Sequence, residues 1–192
     1  AAAGVTTGLI ERFLPAGTPV VRAMPNTSSR VRQSATALCA GRWAGPEEMA
    51  LAAAVFSAVG RVVVVPEEAM DAVTAVSGSG PAYVYLLMEA LAEAARALGL
   101  PAETADALVL QTVYGAACTA LETGVPPAEL RRQVTSPRGT TAAALAALEE
   151  RGFRQALAEA VQRAAARARE LAAEVAALAG EGTGRRTEAG TA

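Results

Sequence analysis

The pattern of apolar residues changes once along this chain, after the valine run at residues 62–65, and this change constrains the fold most strongly. Before it, a β-branched segment at 20–23 and a second candidate strand at 35–40 alternate with helical patterns, and the valine run predicts a strand covered on both faces. After it, only helical patterns follow, separated by proline and glycine. The sequence therefore predicts the end of an α/β layer over residues 1–66, an all-helical region over 67–179 and a disordered tail over 180–192.

Capping signals place the individual helices within this outline. Proline or a hydroxyl residue at a helix start and glycine at its end predict helices over 5–13, 46–60, 67–76, 82–98, 101–123, 127–134, 140–150 and 153–178. The Ser-Gly-Ser-Gly-Pro segment at 77–81 interrupts the pattern, either as a tight turn with Ser79 as N-cap or as a place where the backbone approaches a ligand.

Composition excludes several classes of protein. Hydrophobic residues make up 52% and aromatic residues 4%, which favours closely packed helices over an aromatic-rich sandwich. The net charge of −2 argues against a nucleic-acid surface, and no segment reads as a signal peptide or membrane span. Cys39 and Cys118 lack metal-ligand spacing, so we expect free thiols and no metal site. Because the chain begins at Ala1 without methionine, we also expect a fragment that lacks an N-terminal part.

The reactive residue types are limited. The chain has no histidine, and all 17 of its basic residues are arginine. It therefore lacks the usual proton shuttle and the usual amine nucleophile, so any chemistry requires a bound reagent. Residues 136–141 are the strongest binding candidate, because a helix start with free amides and hydroxyls binds a carboxylate or phosphate without lysine. Arg138 either adds a charged contact there or is an exposed residue without a role.

Two other polar segments have a functional and a structural interpretation. Asn26 follows a predicted strand and either binds an amide or ribose of a ligand or closes a turn through its own side chain. Glu89 and Glu93 lie four residues apart on one predicted helix, a spacing compatible with acid–base work. The nearby Arg96 favours an ion-paired surface instead.

Together these segments resemble one family, the pyrroline-5-carboxylate reductases. The resemblance spans about residues 2–171, and the motifs at 77–83 and 134–141 are specific when they occur together. Its motifs are Arg-Ala-Met-Pro-Asn-Thr at 22–27, Asp-Ala-Val-Thr at 71–74, Ser-Gly-Ser-Gly-Pro-Ala-Tyr at 77–83, Glu-Ala-Leu-Ala at 89–92, Leu-Glu-Thr-Gly at 121–124, Val-Thr-Ser-Pro-Arg-Gly-Thr-Thr at 134–141, Leu-Glu at 148–149 and Gly-Phe-Arg at 152–154.

The resemblance implies a cytoplasmic oxidoreductase that reduces 1-pyrroline-5-carboxylate to L-proline, the last step of proline biosynthesis, with NADPH or NADH. It implies a fold in which a Rossmann-type dinucleotide-binding domain, here only its C-terminal remnant, precedes a helical domain that forms a homodimer or higher oligomer. The substrate carboxylate would then lie at Ser136, Gly139, Thr140 and Thr141. The nicotinamide would lie beside Ala2, Ala3, Met24, Pro25 and Asn26, and no side chain is assigned as catalytic.

The chain departs from the family pattern at three points. The Gly-x-Gly-x-x-Gly turn for the cofactor pyrophosphate is absent from the sequence, so we expect this chain alone to be inactive. Arg138 stands where many relatives have glycine, and Leu86 stands where some have threonine. Two alternatives remain: a non-catalytic helical dimerisation module, or another reductase with a Rossmann and a helical domain, such as a hydroxyacid dehydrogenase. The latter enzymes typically rely on a lysine, which this chain lacks.

Overall fold

A computed structural model describes residues 4–188, with side chains over 4–180. Two predicted cofactor contacts, Ala2 and Ala3, lie outside the described residues. The chain divides into two compact units, the first formed by Ala1–Pro81 with Glu159–Ala192 and the second by Ala82–Ala158. The boundary predicted at residue 66 therefore lies inside the first unit.

Eight α-helices and three strands make up the regular structure of residues 4–188. In chain order they are α1 (Thr7–Glu11), β1 (Val21–Met24), β2 (Ser34–Ala40), α2 (Pro46–Ser57), β3 (Gly60–Val64), α3 (Met70–Val73), α4 (Gly80–Ala97), α5 (Ala102–Thr123), α6 (Pro127–Gln133), α7 (Thr140–Glu150) and α8 (Phe153–Glu188). Short 3₁₀ turns lie at Thr27–Val31 and Glu67–Ala69, and a π-helical turn lies at Thr74–Gly78. None of these described helices is both long and apolar enough to cross a membrane.

The first unit is built on a three-stranded mixed sheet in the order β1-β2-β3. β1 pairs with β2 antiparallel, with Met24 opposite Ala37, and β2 pairs with β3 in parallel. Met24, Ala37, Cys39 and Met70 form the buried cluster beside this sheet. The unit therefore has the α/β character that the sequence predicts, and its core combines residues from β1, β2 and α3.

The valine strand differs from its prediction. In the described sheet β3 is an edge strand that pairs only with β2. Val63 and Val64 are 52% and 66% exposed, so the expected cover on both faces is absent from the described part of the chain. A β-branched run reflects preference for the extended backbone as well as burial, so it predicts the strand but not how far its side chains are covered.

The last helix belongs largely to the first unit. Ala168 on α8 is buried, and Gly4 lies so close to this helix that a Cβ at Gly4 would come within 2.8 Å of the backbone nitrogen of Ala172. α8 runs to Glu188, whereas the glycine content of residues 180–192 predicts a disordered tail. Glycine lowers helix propensity without forbidding a helix. The final four residues, 189–192, lie outside the described residues.

The segment between β3 and α4 also departs from expectation. One of the two interpretations of this segment is a tight turn with Ser79 as N-cap, but Ser79 has helical backbone angles (φ −85°, ψ −19°). Its amide donates to the carbonyl of Thr74, five residues earlier, at 2.9 Å. The predicted N-cap is therefore wrong. A π-helical turn carries the chain through this segment, and its wider bond keeps the Ser79 amide paired.

The second unit consists of helices with little buried surface of their own. Among its described residues only Ala92, Ala105 and Val109 are buried. α5 ends where predicted, at Gly124, whose φ of 65° suits glycine. α7 occupies the predicted residues 140–150.

Candidate functional site

The loop before α7 presents unused amide groups. Gly139 is the N-cap, and no side chain bonds to the amides at the helix start. The first bond of the helix runs from the amide of Ala143 to the carbonyl of Gly139, at 3.2 Å. Within the described residues, the amides of Thr140, Thr141 and Ala142 therefore have no hydrogen-bond partner. These are the free helix-start amides that the sequence predicts, and binding of an anion by them stays a prediction.

The same loop supplies hydroxyl groups. In the described part of the chain, the hydroxyls of Ser136, Thr140 and Thr141 have no hydrogen-bond partner. Gly139 lies so close to Ser136 that a Cβ would collide with the Ser136 Oγ. The Gly139 amide donates to the Ser136 carbonyl at 3.1 Å. Ser136, Gly139, Thr140 and Thr141 are thus brought together as predicted, except that the Gly139 amide is used within the loop.

The arginines around this loop have different environments. Arg131 lies 3.7 Å from a carboxylate oxygen of Glu149, and Arg132 forms an ion pair with Glu129. Arg138 is exposed and has no ion-pair partner among the described residues. Its φ is 60°, in the left-handed region that glycine adopts without cost. Arg138 therefore holds a conformation that costs about 1 kcal/mol for a residue with a side chain.

The predicted cofactor contacts at the end of β1 are buried or half-buried, and Asn26 makes hydrogen bonds within the protein. Met24 is buried in the core, and Pro25 and Asn26 are half-buried. The Asn26 Oδ1 accepts from the amide of Ser28 at 3.1 Å, and its Nδ2 donates to the carbonyl of Ser77 at 3.2 Å. The structural alternative raised for Asn26, a turn closed by its own side chain, is present in the structure.

Sequence reasoning missed a buried polar network in the same unit. The Arg22 guanidinium forms an ion pair with the Glu67 carboxylate, which also accepts from the Thr7 amide at 3.1 Å and the Thr7 hydroxyl at 2.6 Å. The Cys39 Sγ lies 3.6 Å from the same carboxylate. A single arginine between the apolar residues of β1 was the available signal. The network joins α1, β1, β2 and the turn after β3.

Burial and charge in this network shift two pKa values. Burial acts to raise the pKa of Glu67, but hydrogen bonds from Thr7 and Arg22 outweigh it and hold that pKa below its usual range. Burial, reinforced by the negative charge of Glu67, raises the pKa of Cys39 to about 11. The Cys39 thiol is therefore protonated and unreactive at neutral pH. The Nη2 of Arg22 is buried without a partner in the described structure.

The acidic pair on α4 shows no catalytic arrangement. Glu89 and Glu93 are exposed, on a groove between α4 and α5. Arg96 pairs with Asp106 across this groove at 3.0 Å. Within the described part of the chain, no group of three or more histidine, cysteine or acidic residues could hold a metal ion.

Comparison with known proteins identifies the family. The family model described as pyrroline-5-carboxylate reductase dimerisation matches residues 67–171. A pyrroline-5-carboxylate reductase from Synechocystis is 50% identical over 169 residues, and one from Mycobacterium tuberculosis is 47% identical over 186 residues. Each of these matches covers 88% of this chain and 63% of the relative.

Solved structures agree with this result. A pyrroline-5-carboxylate reductase structure from Coxiella burnetii superposes with a TM-score of 0.86 at 48% identity, covering 88% of this chain and 63% of that one. A pyrroline carboxylate reductase from Plasmodium falciparum with NADP bound gives a TM-score of 0.82 at 30% identity, covering 88% and 68%. The chain thus spans about 63% of the length of the curated relatives it matches, and it belongs to the pyrroline-5-carboxylate reductase family.

Proposed function

We propose that this chain is part of an enzyme that reduces 1-pyrroline-5-carboxylate to L-proline with a hydride from NADPH or NADH. The observation that carries the proposal is the start of α7, where three free amides and three free hydroxyls converge in the family's own motif. An uncapped helix start of this kind suits the carboxylate of the substrate. We place the enzyme in the cytoplasm, as the family resemblance implies.

The composition of the chain fits this reaction. Reduction of the cyclic C=N bond adds a hydride to carbon and a proton to nitrogen, and bound NAD(P)H supplies the hydride. When the imine takes its proton from solution, the protein needs only to orient the ring and hold its carboxylate. Thr140 and Thr141 do this through amides and hydroxyls, so that neither histidine nor lysine is required.

We assign the nicotinamide side to Met24, Pro25 and Asn26, with Ala2 and Ala3 before them in the chain. The apolar surface of Pro25 and the second amide hydrogen of Asn26 suit the ring and carboxamide of a nicotinamide. No Gly-x-Gly-x-x-Gly turn for the pyrophosphate occurs among the 192 residues. We therefore interpret the sheet of the first unit as the C-terminal part of a Rossmann-type domain, whose remaining strands contribute the rest of the cofactor site.

We further propose that the helical second unit associates with a second copy to give a homodimer or a higher oligomer. Leu110, Tyr114 and Leu121 lie at helical spacing on α5 and are 57%, 65% and 67% exposed. A stripe of this size exposed to water is typical of an interaction surface. The non-catalytic interpretation of this unit as a dimerisation module is thus part of the same proposal.

Replacement of Thr141 by valine tests the carboxylate site. The assay uses this chain joined, before residue 1, to the part of the Synechocystis relative that the match leaves uncovered, and this protein is here called the fusion. Loss of a hydrogen bond to a charged group costs about 1.5–3 kcal/mol, so KM for 1-pyrroline-5-carboxylate should rise about ten-fold or more in Thr141→Val, with kcat little changed.

The matched control is Thr119→Val, which removes a hydroxyl bonded only to the carbonyl of Gly115 on α5. We expect its KM to equal that of the unsubstituted fusion. An unchanged KM in Thr141→Val would show that this loop does not bind the substrate carboxylate. Absence of NAD(P)H-dependent reduction in the unsubstituted fusion would contradict the proposed reaction.

A further inference from the structure

The carbonyl of Ser77 lacks its ordinary α-helical partner. That partner would be the amide four residues later, but residue 81 is proline and has no N–H. The Asn26 Nδ2 donates to this carbonyl at 3.2 Å from the end of β1. A side chain 51 residues earlier in the sequence therefore supplies the donor that the proline removes.

Two further contacts seat the same turn on the sheet. The Ser77 Oγ donates to the carbonyl of Ala35 on β2 at 3.2 Å. Gly78 packs against Met24 so closely that a Cβ would lie 2.8 Å from the Met24 Cε. The π-helical turn is thus fixed at two adjacent residues, through the carbonyl and hydroxyl of Ser77 and the α-carbon of Gly78.

Asn26 is itself held rigidly. Its backbone amide donates to the Ser34 Oγ at 3.1 Å, and the Ser34 Oγ lies 3.1 Å from the Thr36 Oγ1. Ser34 and Thr36 are 2% and 0% exposed, so these bonds form in the interior. The Oδ1 accepts from the Ser28 amide and the backbone carbonyl from the Ser29 amide, so all four polar groups of Asn26 have partners within the protein. A side chain fixed in this way transmits position and has little freedom to follow a moving ligand.

We propose that Asn26 is a positioning residue. Its side-chain amide holds the turn at residues 77–80 against the end of β1 and so fixes one wall of the nicotinamide site. The inference rests on the proposed function, and it gives Asn26 a role through Ser77 beyond its predicted place beside the cofactor. A displacement of about 1 Å at a reacting centre can lower the rate about a hundred-fold. Release of the turn should therefore slow hydride transfer.

Substitutions at Asn26 distinguish the role of its bond to Ser77 from its role as N-cap of the 3₁₀ turn. Asn26→Asp keeps the oxygen that accepts from Ser28 but places a second oxygen against the Ser77 carbonyl. Asn26→Ser still caps the 3₁₀ turn at Thr27–Val31 but is too short to reach Ser77. Both variants lose the Asn26–Ser77 bond and keep the local turn. Ser29→Ala, which removes a neighbouring hydroxyl with no hydrogen bond in the described structure, is the matched control.

Kinetics of the fusion give the first readout. We expect kcat to fall at least ten-fold in Asn26→Asp and Asn26→Ser, while KM for 1-pyrroline-5-carboxylate stays within about two-fold and Ser29→Ala matches the unsubstituted fusion. A merely destabilising role would change the amount of active enzyme and its melting temperature without this split at a temperature where all variants are folded. Unchanged kcat in both variants would overturn the proposal.

Amide hydrogen exchange in the 192-residue chain gives a readout independent of the reaction. The amides of residues 78–80 should exchange at least ten-fold faster in both Asn26 variants, with β2 unchanged. Equal exchange in all variants would overturn the inference even if the enzyme is active. If the unsubstituted fusion shows no reduction, the proposed function fails, and the exchange result alone then decides whether Asn26 holds the turn.

Discussion

Two segments of this chain carry similar sequence signals and use their polar groups differently. At the end of β1, the side chain and the amide of Asn26 all bond within the protein. At the start of α7, the amides and hydroxyls of Thr140 and Thr141 have no partner among the described residues. The comparison shows that the first segment uses its polar groups within the protein, whereas the second has unused hydrogen-bonding capacity.

The same contrast separates the two units. The first unit buries apolar residues from its sheet and α3 together with an ion pair, Arg22 with Glu67. The second unit buries three small or medium apolar residues and leaves apolar stripes on its helices exposed. The first unit is therefore stabilised largely by its own contacts, whereas the second leaves apolar helix surface exposed, as the proposed association would require.

The largest expected effect is on the interior of the first unit. Glu67→Gln removes the charge that compensates a guanidinium with only 7% side-chain exposure. Breaking such a pair leaves a buried unpaired charge, and we expect the free energy of unfolding to fall by about 3 kcal/mol. Urea unfolding followed by the fluorescence of Trp43, the single tryptophan of the chain, measures this change. The control is Glu170→Gln, which breaks an exposed pair with Arg167 and should cost less than about 1 kcal/mol.

Acid should reveal the same interaction. Because the folded-state pKa of Glu67 lies below its usual value of 4.5, the pair stabilises the fold above that pH and loses its contribution as pH falls through the folded pKa. Glu67→Gln should therefore flatten the loss of stability below pH 4.5. Equal acid sensitivity in the two proteins would show that other groups dominate.

An intermediate effect is expected on the surface of the second unit. Leu121→Glu places a charge in the exposed stripe on α5, which should weaken self-association at least ten-fold because burial of that charge is costly. Sedimentation velocity over a range of concentrations measures the shift. Leu51→Glu is a matched control, since Leu51 is 69% exposed on α2 of the first unit. Equal loss of association in both variants would show that self-association does not depend specifically on the α5 stripe.

The smallest effect concerns two arginines with the same backbone conformation. Arg32 in the first unit has a φ of 58° and Arg138 in the second a φ of 60°. Glycine at either position should raise the free energy of unfolding by about 0.5–1 kcal/mol, since the strain is relieved. Only Arg138→Gly should also change KM for the substrate in the fusion. A change of KM in Arg32→Gly, or an unchanged KM in Arg138→Gly, would show that Arg138 has no specific role at the carboxylate site.

The sequence predicts those parts of the fold that local chemistry decides. α7 begins at Thr140 and ends at Glu150 as predicted, because Gly139 and Gly152 flank a run of strong helix formers. The predicted strands and the end of α5 at Gly124 are confirmed for the same reason. The family assignment is confirmed because its motifs are specific in combination.

The remaining features depend on contacts between distant residues. The ion pair joins Arg22 to a residue 45 positions away, and no local pattern specifies that distance. The π-helical turn is held by bonds of Ser77 to Asn26 and Ala35, 51 and 42 positions earlier, and no local pattern specifies these contacts. The sites assigned to substrate and cofactor stay predictions that the Thr141 and Asn26 variants test.

The contact between Gly4 and α8 has a consequence for synthesis of the chain. The first unit is discontinuous, and Gly4, near its start, contacts a helix that the ribosome makes only after residues 82–158. Residues 82–158 must therefore be made before the first unit is complete, so the segment around Gly4 waits for its partner on α8. A larger side chain at position 4 would penalise that final docking step most of all.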